Sequence, residues 1–591
     1  MMGNKTLIAA LLAGCGTVVF ATSFPNADGS GDIASPTAWG GVLPTDQAQF
    51  QTSDVTNTAS ANVTFAGVEV GAKNVVFDFS QTPARTITLS DHFRPLNYTG
   101  ASYTLRGGTW NLSGKNFHLY HNWGQGSECT VTLENGCNVT NVGWTLLNFS
   151  TLKCHLIIRD QASLTVNTYD SNSGHGNDEP CLEVLSGGRL SVPATGSTLR
   201  IGDGTTLVSG AGSRIESYGG AGDFTLGNTY HNTLIRITDG GAFDAASRRM
   251  NLNLNDATNT TIVVDDDGTF QCGEVYPNGR AFNIQIGERG QMTTGRWYIK
   301  GNDHSVRVLN GTLKGSRWIG EAASGASVTN FSVAVIGSDA QVDIAGGDAL
   351  FMGLSDSSIL LEGASWSCPV TYWKSRESSN CTFRLTQQAA FTTTGHFWGT
   401  AYDGGSASQT NCNGNVISVE SGSTFQSAGF TFVGKGNRLI VTNATFRCPT
   451  GSFNFGRSDR GSDANQLVLQ GTTPRVEIAS DAMHLRYGST LRVEMPAEGY
   501  AADFVPITTA WSLSLDDSCH LVADVEAIRR HQRVNKTYVL ARANGGVSIP
   551  ESVLAEANAV APDEWQFGVS EDNKSLTLRV MLLRGMAVML K

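Results

Sequence analysis

The sequence predicts an all-β chain: a right-handed single-stranded parallel β-helix (β-solenoid) with a small C-terminal α+β cap. Three observations carry that expectation. Short alternating apolar strands recur along the chain, Gly-containing turns follow them at a fixed place, and helical periodicity is nearly absent before residue 520.

The first strand of the repeat is explicit in Cys129-Thr-Val-Thr-Leu-Glu-Asn-Gly136, Thr233-Leu-Ile-Arg-Ile-Thr-Asp-Gly240, Ser305-Val-Arg-Val-Leu-Asn-Gly311 and Asn415-Val-Ile-Ser-Val-Glu-Ser-Gly422. A second strand follows and ends on Gly, as in Leu199-Arg-Ile201-Gly202, Phe453-Asn-Phe455-Gly456 and Leu485-Arg-Tyr487-Gly488. The unit recurs roughly every 22 to 28 residues, with a longer insertion around Asp403–Asn413, and that period is one turn of a three-sided parallel coil. Stacking follows from the backbone: each turn exposes unpaired strand edges, and only the next turn, about 4.8 Å away, can pair them and cover the inward apolar side chains. Gly at corners supplies positive φ, and Asn or Thr at matching corners can stack into hydrogen-bonded ladders.

Three segments result: 1–23 as a signal peptide, 24–503 as a parallel β-helix of roughly fourteen or fifteen coils, and 504–591 as the cap. In the last segment the repeat fades. Leu521–Arg533 and Glu551–Val560 read as helices, and Tyr538–Ala541, Trp565–Phe567 and Ser575–Val580 as strands covering the final edge.

Composition agrees. With 67 Gly, 15 Pro, 40% hydrophobic and 16% charged residues, the chain can bury a core but is punctuated by turn formers, which favours short strands over helices and opposes disorder. A net charge of −11 opposes a role that depends on neutralising phosphates, so no nucleic-acid partner is expected.

The N-terminus carries Lys5, an apolar run from Leu7 to Ala21 and then small residues, the layout of a secretory signal, with Val19-Phe20-Ala21 before the cleavage point. Leu12-Ala13-Gly14-Cys15 also resembles a bacterial lipobox, which would make Cys15 a lipidated first residue. Either reading places the mature chain outside the cell or at its surface. No later run reaches the roughly 20 apolar residues of a spanning helix. Of the eleven cysteines, those after Cys15 are dispersed with no CxxC, so no metal site is expected; Cys129 with Cys137 and Cys368 with Cys381 are the closest spacings for disulfides.

Ala38-Trp39-Gly40-Gly41-Val42-Leu43-Pro44-Thr45-Asp46 resembles the start of secreted bacterial β-helix proteins of the autotransporter-passenger type. Phe455-Gly456-Arg457-Ser458 followed by Gly461 to Leu469 looks like their recurring coil and loop. The resemblance covers most of residues 30 to 500 and implies architecture more than activity. It departs at the C-terminus, where such a passenger would continue into a membrane barrel ending on an aromatic, whereas this chain stops at Met589-Leu590-Lys591; self-export is therefore not expected.

No catalytic residue, cofactor-binding residue or metal ligand is assigned. Asp265-Asp266-Asp267-Gly268 is the most carboxylate-rich spot, but it occupies the slot where other units carry Asn-Gly or Ser-Gly, and reads as a turn. Gly174–Glu179 and Arg457–Asp463 mix charges that usually satisfy one another on a solvated loop. His118 and His121 flank Tyr120 without a third ligand. There is no Gly-x-Ser-x-Gly elbow on a strand–helix junction, and runs such as Gly202-Asp203-Gly204 read as corners rather than phosphate cradles. Trp297, Trp318, Trp373 and Trp398, with Phe432 and Phe455, recur near the second strand; an inward aromatic ladder accounts for them, and a row of exposed rings gripping glycan is the sharper alternative. The glycan-contact candidates are thus Trp297, Trp318, Trp373, Trp398, Arg457, Asp459 and Arg460. The leading expectation is a non-enzymatic exported scaffold (adhesin, spacer or matrix component) that contacts extracellular polysaccharide or other surface proteins. A β-helix polysaccharide lyase or hydrolase, which needs convergent carboxylates with or without Arg, and a glycan-binding module are the alternatives.

Overall fold

The computed structural model describes residues 22–23 and 30–581, apart from 82, 96–99, 120–127, 147–152, 172–179, 194–195, 203, 219–221, 228–231, 253–257, 317–320, 323–327, 347, 350–352, 370, 373–377, 400–412, 457–462 and 532–533. Almost all of the regular structure is strand, and the chain divides into two units, Met1–Arg248 and Arg249–Lys591. Each unit is a parallel β-solenoid.

In the first unit, one sheet is built from Val75–Asp78, Ala101–Arg106, Glu128–Glu134, Lys153–Ile158, Pro180–Leu185, Gly204–Ser209 and Thr233–Thr238, each parallel to the next. Register holds inward residues in columns: Phe77, Leu105, Leu133, Ile158, Val184, Val208 and Ile237 stack one per coil, all fully buried. The facing sheet stacks Ile87, Trp110, Val139, Leu164, Leu190, Ile215 and Phe243 in the same way. Burying one such side chain contributes roughly 1.5–3 kcal/mol, and the alternation with solvated neighbours is the period-2 consequence of the pleat.

The second unit repeats the plan. Its first sheet stacks Ile262, Ile284, Val306, Val333, Ile359, Phe383, Ile417, Leu439, Leu467, Leu491 and Leu521. Its second stacks Phe270, Met292, Leu313, Val342, Trp366, Phe391, Phe425, Phe446, Val476, Ile507 and Ala541. A third column runs Phe397, Phe430, Phe453, Met483, Leu513 and Val547. Phe430 stacks on Phe397 and Phe453 at 5.3 and 5.2 Å between centroids, an inward aromatic column made of residues other than the tryptophans singled out from sequence.

Corners follow the chemistry of the turn. Asn135 and Gly136, Asp239 and Gly240, and Ser421 and Gly422 all take positive φ, which explains the Gly that closes those units, whereas Gly311 is needed because a Cβ there would collide with the Gly287 carbonyl of the preceding coil. At the opposite corner of the second unit, Asn415, Asn437 and Asn465 are fully buried. The Oδ1 of each accepts the backbone N–H of the preceding coil (Cys381, Asn415 and Asn437 at 2.9–3.0 Å), while the Nδ2 groups donate to the carbonyls of Ser378, Val433 and Gly434. His304 Nδ1 and Ser357 Oγ accept the N–H of Phe282 and Phe331 in the same way.

Parallel pairing extends past residue 503, to Ile507–Thr509 on Lys536–Ala543 and Ser512–Leu515 on Gly546–Ser548. The cap closes it: Ser575–Val580 runs antiparallel to both Lys536–Ala543 and Trp565–Val569. Helix α1 (Glu526–His531) is shorter than Leu521–Arg533, because Leu521 belongs to the strand His520–Asp524, whose pairing with Thr490–Glu494 overrides the local helical pattern. Helix α2 (Glu551–Val560) has the expected bounds and is tied down by Glu556 to His520 and by Asn558 to the Phe567 backbone. Among the described residues, no helix is long and apolar enough to cross a membrane.

Candidate functional site

The strongest candidate surface lies on the outer side of the third sheet of the second unit. There the pleat turns Phe397, Phe430, Phe453, Met483 and Leu513 inward, which leaves Trp398, Thr431, Asn454, His484 and Ser514 as the alternate set, one per coil in register. Trp398 is half-buried and its ring lies 4.0 Å from that of His396, tilted by 32°. The His396 Nε2 is 2.8 Å from Thr431 Oγ1, and burial pushes this imidazole down to about 4, so it is neutral at pH 7. Two coils on from Thr431, His484 Nδ1 lies 2.6 Å from Ser514 Oγ; burial, followed by the positive charge of Arg486, lowers its pKa. Asn454 Nδ2 donates to Ser452 Oγ. Thr431, on the coil next to Trp398, is itself buried, so the indole is followed two coils on by the half-buried amide of Asn454 and then, at successive coils, by the imidazole of His484 and the hydroxyl of Ser514. Such a strip can stack a sugar face on the indole and offer uncharged hydrogen-bonding groups to hydroxyls.

A second pair of rings sits on the coils around residues 270–300. Val275 bridges in parallel to Trp297, both fully buried, so the adjoining Tyr276 and Tyr298 face the other way, half-buried and 5.7 Å apart. Arg249 and Lys300 lie over the Tyr276 ring at 5.0 and 5.1 Å, and Arg296 over Tyr298 at 4.1 Å. Sequence reasoning passed over these tyrosines. The signal was their place beside a large inward residue in an alternating strand.

The tryptophan candidates separate accordingly. Trp297 has no exposed surface and its Nε1 donates to Thr294 Oγ1 at 2.7 Å, so its ring points inward and presents nothing to a glycan. Phe432 and Phe455 are buried too. Trp398 alone of the four is placed on an outer row among the described residues; Trp318, Trp373, Arg457, Asp459 and Arg460 lie outside those residues, as do Cys15, His121 and the Gly174–Glu179 loop.

Several other charged and titratable groups among the described residues are engaged within the fold. Asp266 and Asp267 occupy a positive-φ turn and face Arg289, which lies 3.6 and 3.1 Å from them and also meets Glu288. His118 packs 5.0 Å from His92, whose Nδ1 accepts the Asn116 N–H and whose Nε2 is 3.1 Å from Asp91. Across adjacent coils of the first unit, Arg106 joins Asp78 to Glu134, and Arg159 completes the ladder. Burial pushes the Glu134 carboxyl up, but hydrogen bonds from Arg159 and Arg106 outweigh it and hold the group below its ordinary range. Arg248 is buried and donates to the carbonyls of Ser197, Gly222 and Asp223 and to Ser217 Oγ. Among the described residues, no group of three or more His, Cys, Asp or Glu side chains could hold a metal ion.

No protein-family model and no curated protein matches this chain.

Proposed function

We propose that the protein is an exported, non-enzymatic scaffold of the surface-adhesin, spacer or matrix kind, and that it contacts polysaccharide through the outer row headed by Trp398. The observation that carries this reading is the half-buried indole seated on neutral His396, with half-buried Asn454, His484 and Ser514 in the same register from two coils further on. Stacked coils position these groups on a rigid surface, so binding needs little ordering of the protein. Carboxylates such as Asp78 and Glu134 in the first unit and Glu420 in the second are engaged by arginines of adjacent coils, which suits a load-bearing surface better than acid–base chemistry.

The test is a panel of neutral and acidic polysaccharides presented to the purified full chain, scored for binding and for new reducing or unsaturated ends. Binding to at least one polymer, weakened about tenfold by Trp398→Ala with no product formed, is expected. Product formation abolished by substitution in one local charge cluster would replace this reading with a lyase or hydrolase.

A further inference from the structure

We propose that Cys129 and Cys154 are a modification site in the first unit: a thiol pair that closes into a disulfide and locks one coil of the solenoid into a covalent ring. Cys129 and Cys154 are direct Cα partners in the parallel pairing of Glu128–Glu134 with Lys153–Ile158. Their sulfurs lie 3.4 Å apart, and both thiols donate to the same acceptor, the Leu119 carbonyl, at 2.8 and 3.2 Å. Two side chains aimed at one oxygen are already converged. In-register neighbours in a sheet are separated by about 4.8 Å, inside the roughly 4.4–6.8 Å window that a disulfide requires between Cα atoms. Closure then needs the sulfurs to approach by a little over 1 Å through side-chain rotation, with no change of register.

The sequence spacing favoured Cys129 with Cys137 and Cys368 with Cys381, but neither pair is bridged. Cys137 opens the next side of the same coil, whereas Cys154 sits one full coil on, directly over Cys129. In a solenoid the nearest residue in space is one repeat away in sequence, so close linear spacing selects the wrong partner.

The oxidant is a low-molecular-weight disulfide. Cys129, the more exposed of the two at 8% against 1%, attacks it as the thiolate, forms a mixed disulfide and releases one small thiol. Cys154 then attacks the Cys129 sulfur, expels the second small thiol and leaves the Cys129–Cys154 bond. The two protons lost from the cysteines end on the two small thiols, and the pair of electrons reduces the oxidant. This inference is independent of the glycan reading, since it concerns the other unit and a different readout.

The test treats the full chain with oxidised mercaptoethanol at mildly alkaline pH and maps peptides under non-reducing conditions. Expected is a cross-linked peptide joining Cys129 to Cys154, lighter by two hydrogens, with Cys137 still alkylatable after unfolding. Thermal unfolding of the first unit should rise by a few degrees on oxidation, reverse with reductant, and not respond in Cys154→Ser. Because the mapping is done on the unsubstituted chain, a poorly folding variant does not blur it. A stable mixed disulfide at Cys129 alone, a bond to any other cysteine, or no cross-link would each overturn the proposal.

Discussion

The same corner of the coil is filled by different chemistry along the two units: a run of buried amides occurs in the second, and adjacent stacked thiols occur in the first. In the second unit the position just before the first strand carries His304, Ser357, Asn415, Asn437 and Asn465, whose side chains accept backbone N–H groups and so join one coil to the next, while other coils place Thr260, Phe282, Phe331, Cys381, Ser489 and Cys519 there. In the first unit the corresponding position, set by register two residues before Tyr103, Val131, Leu156, Leu182, Thr206 and Ile235, carries Ala101, Cys129, Cys154, Pro180, Gly204 and Thr233. Thiols there donate weakly to Leu119. An amide corner holds its neighbours by hydrogen bonds that are costly to break once buried, and a thiol corner holds them mainly by packing. Architecture alone therefore does not fix how firmly successive coils are joined.

The largest effect that would sharpen this contrast is expected from Asn437→Ala. It strands the Asn415 N–H and the Val433 carbonyl in a dry interior and should cost about 3 kcal/mol, read as loss of hydrogen-exchange protection in the flanking strands Val416–Glu420 and Gln466–Gln470. Acid should come next. Burial pushes His304 down to about 4, so the unfolded chain binds its proton first; stability contributed by the neutral ring is complete above about pH 6.5 and is lost as pH falls toward 4. The loss from this ring should be on the order of 2 kcal/mol, seen by denaturant titration at pH 7 and pH 4.5, and His304→Asn should remove that share while leaving the one due to His396, whose imidazole burial also pushes down to about 4. Cys154→Ala, at the thiol corner, should cost only about 1 kcal/mol under reducing conditions, and a loss as large as that of Asn437→Ala would erase the distinction. Smallest is Glu134→Gln, whose arginine partners are part-exposed: under 1 kcal/mol, shrinking further in high salt.

Much of this was legible in the sequence, for a physical reason. Inward columns such as Ile417, Leu439 and Leu467 obey a period of two that burial enforces, and corner glycines such as Gly136, Gly240 and Gly422 follow from positive φ. Asn415, Asn437 and Asn465 could be anticipated as a ladder because they precede the same strand in successive units. Facing was harder. In Phe397-Trp398 and Trp297-Tyr298 both members are aromatic, so composition does not say which ring points inward, and only register against the neighbouring coils decides. Leu521 misled for a related reason, since a strand at the edge of a polar helix reads locally as helix until its partner Leu491 is known.

A stack of identical coils carries no internal signal to stop, and an open final coil would offer its row of N–H and C=O groups to the first coil of another molecule. Reversal of chain direction at Ser575–Val580, which occupies the edge of Lys536–Ala543 and is itself covered by Trp565–Val569, removes that invitation. Deleting this hairpin should leave the edge of Lys536–Ala543 open as a template for end-on association.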